Sequence, residues 1–285
     1  MKLLGISGRK TSGKNTLFNH LLGIELLKLA VVREKMAIMD DGALFVSDFF
    51  GDTEYAGVFD ITRNNEAMTE FKNEYVYPYI KNYSFADSLK QDVCIGLLGL
   101  THEQCYGTDN DKNTKTKLQW EDMPGITTDK GFVDMLNTRE VKARLGNKYM
   151  PILNSYITYH EAGHMTAREV MQYVGTDLFR RMYSDVWVNS TINRIKKEGS
   201  LFSVITDVRF PEELEAIKNI GGKVIRLTRG ICDGHESETA LDADKYDWNN
   251  FDAIIDNKDA TIGQQNHMVL QMLEEWGWID PVREE

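Results

Sequence analysis

The spacing of apolar residues along the chain predicts alternating strands and helices. Short apolar runs predict strands at Lys2–Ile6, Tyr79–Phe85, Leu201–Thr206, Lys223–Leu227 and Ala253–Ile255. Apolar residues at helical spacing predict helices at Leu17–Val31, Ala86–Leu100, Tyr183–Lys197, Pro211–Ile220 and Thr261–Trp276. Thr166, followed three residues later by Glu169, predicts a capping box at the start of a further helix. Strands that alternate with helices predict an α/β fold whose parallel sheet is covered on both faces.

Three segments depart from this alternation. Between Ala37 and Arg63 the apolar residues come in pairs separated by turn sequences, which predicts an inserted β-hairpin region covering about residues 36–78. Gly107–Lys130 is polar and predicts a mobile loop, and residues 107–130 and 230–250 are the candidate lids. Pro151–Tyr159 carries β-branched and aromatic residues that are typical of a strand. No linker divides the chain, so residues 1–285 are expected to form a single domain.

Composition and charge exclude several classes of protein. The chain has 285 residues, of which 42% are apolar, and 44 acidic against 33 basic residues give a net charge of −11. The acidic surplus disfavours binding to nucleic acid, and no apolar run reaches the roughly 20 residues of a membrane span. Three scattered cysteines cannot build a disulfide framework, and the first residues do not resemble a secretory signal. These features predict a soluble protein of the cytoplasm.

A glycine-rich segment directly follows the first predicted strand. Gly8–Thr16 has the G-x-x-x-x-G-K spacing of a phosphate-binding loop. Glycines allow backbone N–H groups to point at phosphate oxygens, and the helix that follows adds its positive end. Lys14 is placed to reach the β- and γ-phosphates of ATP. Asn15 replaces the usual Ser or Thr ligand of Mg²⁺ and Thr16 comes next, so both are candidate metal ligands.

A second motif competes with this interpretation. His160–His164 has the sequence His-Glu-Ala-Gly-His, the HExxH pattern in which two histidines one helical turn apart bind Zn²⁺. That chemistry requires a helix, whereas Gly163 disfavours one and the capping box starts the next helix only at Thr166. No third ligand stands at a familiar spacing. A pair of loop histidines is the favoured interpretation, and a zinc hydrolase is an alternative.

An acidic residue and an arginine follow the apolar run Leu201–Thr206. Asp207 stands at the end of the predicted strand, where a carboxylate can orient water bound to Mg²⁺, and Arg209 comes two residues later. A planar, permanently charged guanidinium suits a phosphoryl group whose charge is spread over several oxygens. A purely structural alternative is that Asp207 caps the helix near Pro211 and that Arg209 pairs with a surface acid.

Seven segments carry a resemblance when they are taken together. They are Gly8–Thr16, Phe85–Lys90, Leu100–Gly107, Arg168–Asp177, Thr206–Arg209, His235–Asp242 and Asp256–Asn257. In this order they are similar to the bacteriophage deoxynucleoside monophosphate kinases, relatives of adenylate kinase. The resemblance implies a P-loop NTPase fold of three α/β/α layers, with a five-stranded parallel sheet of adenylate-kinase type. It also implies an enzyme that phosphorylates deoxynucleoside 5′-monophosphates with ATP and Mg²⁺, and it favours a homodimer.

The resemblance further implies roles for individual residues. The ATP-binding residues would be Gly8, Lys10, Ser12, Gly13, Lys14, Asn15, Thr16 and, near the base, Asn257. The catalytic residues would be Lys14, Arg168, Arg209 and Asp207, and the Mg²⁺ ligands would be Asn15, Thr16 and Asp207. The deoxynucleotide would contact Asp87, Lys90, Arg168, Gly175, Thr176, Asp177 and Trp187. Structural alternatives are that Trp187 belongs to the core, that Gly175 caps a helix C-terminus and that Asp87 caps a helix N-terminus.

The function that the sequence favours is phosphoryl transfer from ATP to the 5′-phosphate of a deoxynucleotide. Such a reaction depends on positioning and charge stabilisation rather than on covalent work by the protein. Three alternatives stay open: the zinc hydrolase, a phosphate-loop nucleotide-binding module without turnover, and a kinase of another small acceptor such as dephospho-coenzyme A.

Overall fold

The computed structural model describes residues 2–63, 65–230 and 239–280. The chain divides into two compact units. Unit 1 consists of Met1–Phe85 and Trp187–Glu285, and unit 2 consists of Ala86–Val186. Cys232, part of the candidate lid at residues 230–250 and the first part of the similar segment His235–Asp242 lie outside the described residues.

The described residues contain twelve strands and ten α-helices. In chain order the strands are β1 Lys2–Ser7, β2 Val32–Ile38, β3 Leu44–Phe49, β4 Asp52–Phe59, β5 Ile80–Tyr83, β6 Lys115–Gln119, β7 Ile126–Thr127, β8 Thr158–Tyr159, β9 His164–Thr166, β10 Phe202–Val208, β11 Lys223–Leu227 and β12 Ala253–Ile255. The helices are α1 Lys14–Lys28, α2 Glu66–Phe71, α3 His102–Tyr106, α4 Asp109–Lys112, α5 Lys130–Leu136, α6 Arg139–Tyr156, α7 Ala167–Gln172, α8 Val186–Glu198, α9 Pro211–Asn219 and α10 Ile262–Glu275. Three further segments are π-helical: Lys72–Val76, Leu89–Ile95 and Tyr173–Arg180. No helix within the described residues is long and apolar enough to span a membrane.

The central sheet of unit 1 is formed by the five strands predicted from apolar runs. Its order is β12-β11-β1-β10-β5, and all four pairings are parallel. β1 lies in the middle and is buried along nearly its whole length, as expected for a strand with helices on both faces. The predicted α/β fold with a five-stranded parallel sheet is confirmed.

Alternate residues of the central strands enter two different cores, because successive side chains of a strand point to opposite faces. The core on the face covered by α1 and α10 includes Leu4, Ile6, Leu17, Leu21, Ile225 and Val269. The core on the face covered by α8 and α9 includes Leu3, Ile192, Ile205, Ile217 and Val224. Unit 1 therefore has three layers, helices on sheet on helices, and the burial of these apolar side chains dominates its stability.

The parallel strands bring several distant segments to one edge of the sheet. The segments after the carboxyl ends of the strands are Gly8–Thr16 after β1, Ser84 after β5, Arg209 after β10, Thr228 after β11 and Asp256 after β12. In open α/β sheets ligands bind at this edge. The phosphate-loop sequence therefore lies where the fold class places its ligands.

The segment predicted as hairpins contains a three-stranded antiparallel sheet, ordered β2-β3-β4. Gly42 and Gly51, in its two turns, have φ values of +87° and +84°, a backbone conformation that favours glycine. Leu44 of β3 is fully buried in the core that includes α1. Gly23 of α1 permits this close approach, because a Cβ atom there would lie 2.8 Å from Leu44 Cδ1.

Unit 2 combines short strands with helical segments. β6 pairs antiparallel with β9, and β7 pairs parallel with β8. Its core includes Cys94, Cys105, Trp120, Met165, Val170 and Tyr173. Two of the π-helical segments, Leu89–Ile95 and Tyr173–Arg180, belong to this unit. They pack closely at Gly175, because a Cβ atom there would lie 2.6 Å from Leu89 Cδ2.

Two predictions for unit 2 are wrong. Gly107–Lys130 is not an irregular loop, because it contains α4, β6 and β7. Its polar residues suit this structure, since Thr108 and Asp111 cap α4 reciprocally and β6 pairs with β9. Pro151–Tyr159 is not a strand: α6 continues to Tyr156, and only Thr158–Tyr159 is extended. The β preference of branched and aromatic residues depends on packing within a sheet, so it is a weak local signal.

Candidate functional site

The phosphate-loop sequence forms a tight turn between β1 and α1. Thr11 and Gly13 have φ values of +61° and +94°, and α1 begins directly after Gly13. Ser12 is fully buried, and its N–H donates to the Arg9 carbonyl at 3.2 Å. The turn therefore meets the N-terminus of a 15-residue helix, an arrangement that favours anions.

The ammonium group of Lys14 lies inside this loop. Its Nζ donates to the carbonyl oxygens of Gly8 at 2.6 Å and Arg9 at 2.7 Å, and it lies 3.4 Å from Ser12 Oγ. The cation and the helix N-terminus concentrate positive potential at one place. Phosphate oxygens form stronger, charge-assisted hydrogen bonds than neutral carbonyls, so a bound phosphate would compete for Nζ.

Buried side-chain amides form a network that hydrogen-bonds to the backbone of the loop. Asn257, fully buried after β12, donates to the Ser12 carbonyl at 2.9 Å and to Gln265 Oε1 at 2.5 Å. Its own Oδ1 accepts the backbone N–H of Arg229 at 2.8 Å. Glycine is required at position 13, because a Cβ atom there would lie 2.6 Å from Gln265 Oε1. The structure thus places Asn257 against the backbone of the phosphate loop.

An ion-pair network fastens the start of the loop. The Asp242 carboxylate accepts two hydrogen bonds from Arg9, at 3.1 and 2.7 Å, and one from Arg226 Nη2 at 2.9 Å. Arg226 also donates to Ser7 Oγ at 2.9 Å, and its guanidinium lies 5.6 Å from the centroid of the Trp248 ring. The side chains of Arg226 and Asp242 are only 5% and 9% exposed, so solvent screens this pair weakly.

Sequence reasoning missed three residues of these networks: Arg226, Asp242 and Gln265. Arg226 did carry a signal, because an arginine inside the apolar run Lys223–Leu227 is a charge that needs a buried partner. Asp242 is 233 positions from Arg9 in the sequence, so no local spacing indicates their contact. Gln265 accepts a hydrogen bond from Asn257 and lies beside Gly13 of the first loop, a neighbour that no local spacing indicates.

The three predicted Mg²⁺ ligands differ in their surroundings. Asn15 is exposed in the first turn of α1. Thr16 faces the turn between β2 and β3, since a Cβ atom at Gly42 would lie 2.4 Å from Thr16 Oγ1. Asp207 accepts from Ser84 Oγ at 2.6 Å and from a backbone N–H at 3.1 Å. Within the described residues, no three His, Cys, Asp or Glu side chains form a metal site by themselves.

Arg209 stands on a rigid turn between β10 and α9. Its backbone N–H donates to the Glu213 carboxylate at 2.8 Å, and that of Phe210 donates to the same carboxylate at 3.2 Å. Glu213 is almost fully buried and is the residue that caps α9. Asp207 therefore does not take the capping role that the structural alternative assigned to it. Its carboxylate instead fixes the segment after β5.

Arg168 lies in the first turn of α7, in unit 2. The predicted capping box between Thr166 and Glu169 is confirmed at the start of this helix. The Arg168 guanidinium donates to Asp109 Oδ1 at 2.7 Å and to Asn113 Oδ1 at 3.1 Å. The side chains of Arg168 and Asp109 are 41% and 70% exposed, so their ion pair contributes little stability. Arg168 can therefore exchange Asp109 for another anion at little cost.

Asp87 and Lys90 come together around Tyr106, also in unit 2. Lys90 Nζ lies 4.6 Å from the centroid of the Tyr106 ring, and the Tyr106 hydroxyl donates to Asp87 Oδ1 at 3.4 Å. Burial, and then the charge of Asp87, raise the pKa of the Tyr106 hydroxyl, which stays a neutral donor near pH 7. The predicted acid and base of this segment thus form one cluster.

The predicted deoxynucleotide segment lies in the π-helical stretch Tyr173–Arg180. Gly175 is buried inside this stretch and is not a helix C-cap, whereas Thr176 and Asp177 are exposed. Trp187 belongs to unit 1, at the start of α8, and is only 6% exposed. Little of its ring is accessible to a ligand, which favours the structural role considered for it.

The His-Glu-Ala-Gly-His motif does not form a helix. His160 follows β8, His164 begins β9, and Gly163 between them has a φ of +135°. The His160 imidazole stacks on Trp120, with 3.7 Å between the ring centroids. The prediction of a pair of loop histidines holds for His160 only, because His164 begins β9; the one-turn helical spacing that HExxH zinc sites use is not formed.

Known proteins share sequence with much of this chain. Residues 71–263 match the family model of deoxynucleotide monophosphate kinase, a span that contains the whole of unit 2 together with Asp207 and Arg209. The chain is 32% identical over 161 residues to the "Putative deoxynucleotide monophosphate kinase" of Acanthamoeba polyphaga mimivirus, with 55% of this chain and 67% of that protein aligned. It is 36% identical over 86 residues to "Uncharacterized protein ORF77" of Ictalurid herpesvirus 1 (strain Auburn), with 26% of this chain and 36% of that protein aligned.

The matched span and the loop geometry complement each other. The phosphate loop, Gly8–Thr16, precedes the matched span and is supported by its own backbone geometry and by Lys14. The match itself covers well over half of the 285 residues. On this evidence the chain belongs to the deoxynucleotide monophosphate kinase family.

Proposed function

We propose that this chain transfers the γ-phosphoryl group of ATP to the 5′-phosphate of a deoxynucleoside monophosphate. The observation that carries the proposal is the Lys14 ammonium, held inside a phosphate-loop turn at the N-terminus of α1. Membership of the family supplies the class of acceptor. The loop supplies a place for the phosphates of the donor.

On the donor side, backbone N–H groups of the loop and the first turn of α1 bind the ATP phosphates. Lys14 gives up the carbonyls of Gly8 and Arg9 and bridges the β- and γ-phosphate oxygens. Its positive charge stabilises the negative charge that develops on the β-phosphate as the bond to the γ-phosphorus breaks. Asn257 acts as a positioning residue, because it holds the Ser12 carbonyl and with it the shape of the loop.

On the acceptor side, an oxygen of the 5′-phosphate attacks the γ-phosphorus in line, and ADP leaves. The protein supplies charge and position rather than a covalent partner. Arg168 exchanges its exposed partner Asp109 for the acceptor phosphate, and Arg209 adds a second guanidinium. The contacts to the deoxynucleoside come from Asp87, Lys90, Gly175, Thr176 and Asp177.

The oxygen ligands that the loop and Asp207 offer suit Mg²⁺. Mg²⁺ is usually held by one or two carboxylates, by substrate phosphates and by water, and rarely by a cage of protein ligands. Asp207 is the carboxylate, fixed by its hydrogen bond from Ser84. Because Thr16 faces Gly42, the exposed amide of Asn15 is the better placed of the two loop candidates. When bound, Mg²⁺ neutralises charge on the β- and γ-phosphates.

Three finer features belong to the same proposal. The parallel sheet is of adenylate-kinase type, the β2-β3-β4 sheet is an insert within it, and the protein acts as a homodimer in the cytoplasm. Sedimentation equilibrium at several protein concentrations measures the oligomeric state directly. A single species with the 32.7 kDa mass of one chain would contradict the homodimer.

The activity is tested by coupled ADP release. ATP and Mg²⁺ are offered with each of the common deoxy- and ribonucleoside monophosphates in turn, and with dephospho-coenzyme A. Two variants accompany the unaltered protein: Lys14→Ala, in the loop, and Lys28→Ala, at the exposed end of the same helix. We expect turnover with at least one deoxynucleotide, a loss of about 10²–10³-fold in kcat for Lys14→Ala, and no change for Lys28→Ala.

Other outcomes discriminate between the alternatives. ADP formation with dephospho-coenzyme A alone would contradict the deoxynucleotide acceptor. Silence across the panel, in folded protein that still binds ATP, would overturn the kinase and favour a nucleotide-binding module without turnover. Equal activity of Lys14→Ala and Lys28→Ala would show that Lys14 has no part in the reaction.

A further inference from the structure

The β2-β3-β4 sheet contacts the helix that follows the phosphate loop. Residues 39–43, which join β2 to β3 and are called the β2–β3 turn below, lie against the start of α1. Asn19 Nδ2 of α1 donates to the Gly42 carbonyl at 2.9 Å. A Cβ atom at Gly42 would lie 2.4 Å from Thr16 Oγ1 and 3.3 Å from Thr16 Cβ. The turn therefore reaches the residue next to Asn15, the exposed candidate ligand of Mg²⁺.

The contacts between the sheet and α1 follow one face of the helix. Thr16, Asn19 and Gly23 stand at positions i, i+3 and i+7, which share a face of an α-helix. At Gly23 the neighbour is Leu44, the first residue of β3, which is fully buried in the core that includes α1. The sheet thus packs along α1 from its first turn onward, beginning at the end that carries the phosphate loop.

The β2–β3 turn is fixed by its own hydrogen bonds. The Met39 N–H donates to the Ala43 carbonyl at 2.9 Å, and the Gly42 N–H donates to the Met39 carbonyl at 2.8 Å. The Ala43 N–H donates to Asp41 Oδ1 at 2.9 Å. Gly42 itself is buried, with a φ of +87°. A turn held in this way keeps its shape, so its contacts with Thr16 and Asn19 restrain α1.

The first turn of α1 is the part of the helix that a phosphate would contact. The Leu17 N–H donates to the Gly13 carbonyl at 2.9 Å, and in an α-helix the N–H groups before this point have no partner within the helix. Such groups bind anions at a helix N-terminus. Because few helical bonds hold this turn, the contacts of Thr16 and Asn19 supply much of its restraint. Binding groups that are already ordered lose less entropy when a ligand binds.

We propose that the β2–β3 turn positions the donor site: by holding Thr16 and Asn19, it fixes the first turn of α1 in the orientation that binds the phosphates of ATP. Gly42 and Asn19 are positioning residues, because they act through α1. Thr16 serves the contact with the sheet, and Asn15 is left to the metal and the phosphates. The inference deepens the proposed function and rests on its donor site, but it does not require phosphoryl transfer.

The two turns of the sheet provide a matched pair of variants. Gly42 and Gly51 have φ values of +87° and +84°, so alanine at either position adopts the same unfavourable backbone conformation. The new Cβ atom meets Thr16 at position 42, whereas at position 51 it would lie 2.5 Å from Nη1 of Arg33, the end of an exposed and flexible side chain. A third variant, Asn19→Ala, removes the hydrogen bond to Gly42 without a steric clash.

Isothermal titration calorimetry on the full chain measures the Kd for ATP with Mg²⁺ in the absence of an acceptor, and circular dichroism verifies that each variant is folded. We expect Gly42→Ala to weaken ATP binding about tenfold and Gly51→Ala to weaken it less than about twofold. Asn19→Ala should weaken it about fivefold, the effect of one hydrogen bond. In a Thr16→Ala background the new Cβ atom has space, so Gly42→Ala should weaken ATP binding less there than in the unaltered protein.

The inference is overturned if Gly42→Ala binds ATP as tightly as Gly51→Ala, or if Asn19→Ala binds it as tightly as the unaltered protein. Should Gly42→Ala fail to fold, the Kd of Asn19→Ala decides alone. In steady-state kinetics we expect the KM for ATP to rise in Asn19→Ala while the KM for the acceptor stays the same.

Failure of this inference and failure of the proposed function are separable. A protein that binds ATP but forms no ADP rejects the kinase, and the Kd values of the variants still decide the role of the β2–β3 turn. A kinase in which Gly42→Ala and Gly51→Ala have equal Kd values retains the proposed function and rejects the positioning role. An unaltered protein that binds no ATP overturns both.

Discussion

Replacing Asn257 with alanine should remove the support of the phosphate loop. The Asn257 side chain joins three elements that are far apart in the sequence: the Ser12 carbonyl, the Gln265 amide and the Arg229 backbone. All of these contacts are made by a side chain with no exposed surface. Water therefore cannot replace them without entering the core, and the variant leaves buried polar groups without partners.

The size of the effect follows from the number of contacts. Each of the three hydrogen bonds contributes about 1 kcal/mol net, and a buried group left unsatisfied costs about 1–3 kcal/mol. We therefore expect Asn257→Ala to lower the free energy of unfolding by about 3–5 kcal/mol. In the folded fraction the loop loses its fixed Ser12 carbonyl, so the KM for ATP rises by more than the KM for the acceptor.

Urea unfolding followed by circular dichroism measures the stability, and ADP release measures both KM values. Asn249→Ala is the matched control, because Asn249 is an exposed asparagine whose side-chain amide donates to the neighbouring Asp247. We expect the control to change the free energy of unfolding by less than about 0.5 kcal/mol. If Asn257→Ala costs no more than Asn249→Ala, or leaves the KM for ATP unchanged, the supporting role of Asn257 is refuted.

Two further predictions concern buried charge. Asp242→Asn breaks the ion pairs to Arg9 and Arg226, and we expect a loss of about 3 kcal/mol in the free energy of unfolding; an unchanged urea midpoint would contradict it. Burial lowers the pKa of the His20 imidazole to about 4, against 6.5 for an exposed histidine. Between pH 4 and pH 6.5 the unfolded chain therefore binds a proton at His20 that the folded protein does not bind. Stability should therefore fall as the pH is lowered from 6.5 to 4, by up to about 3 kcal/mol. His20→Leu should flatten this dependence and the exposed His267→Leu should not; equal slopes for the two variants would refute the assignment.

The central sheet could be predicted from the sequence because its strands are buried on both faces. A parallel strand covered by helices has a nearly continuous apolar run, and Leu201–Thr206 is a clear example. The short strands of unit 2 give no such signal. Lys115–Gln119 alternates basic residues with Thr and Leu, and it is a strand because β9 lies beside it. Pairing between segments 49 positions apart cannot be recognised from the pattern of neighbouring residues in the sequence.

The sequence predicts only the local part of the candidate site. The phosphate loop is a local motif, and its glycines and Lys14 stand at fixed spacing, so the sequence indicates it directly. Its supports, Asn257, Gln265 and Asp242, come from the last third of the chain and meet the loop only in the folded sheet. Spacing rules describe a single turn of chain, whereas these contacts depend on strand order.

The π-helical stretch Tyr173–Arg180 determines how this part of the chain responds to the insertion or deletion of a residue. A π-helix closes its hydrogen bonds over five residues instead of four, so it holds one residue more than an α-helix in the same place. Deleting one residue within this stretch would therefore allow ordinary α-helical bonds to form while the residues after Arg180 keep their places. An insertion has no such outlet, because it would rotate every later side chain by about 100°. The stretch should therefore tolerate the loss of one residue more readily than the gain of one.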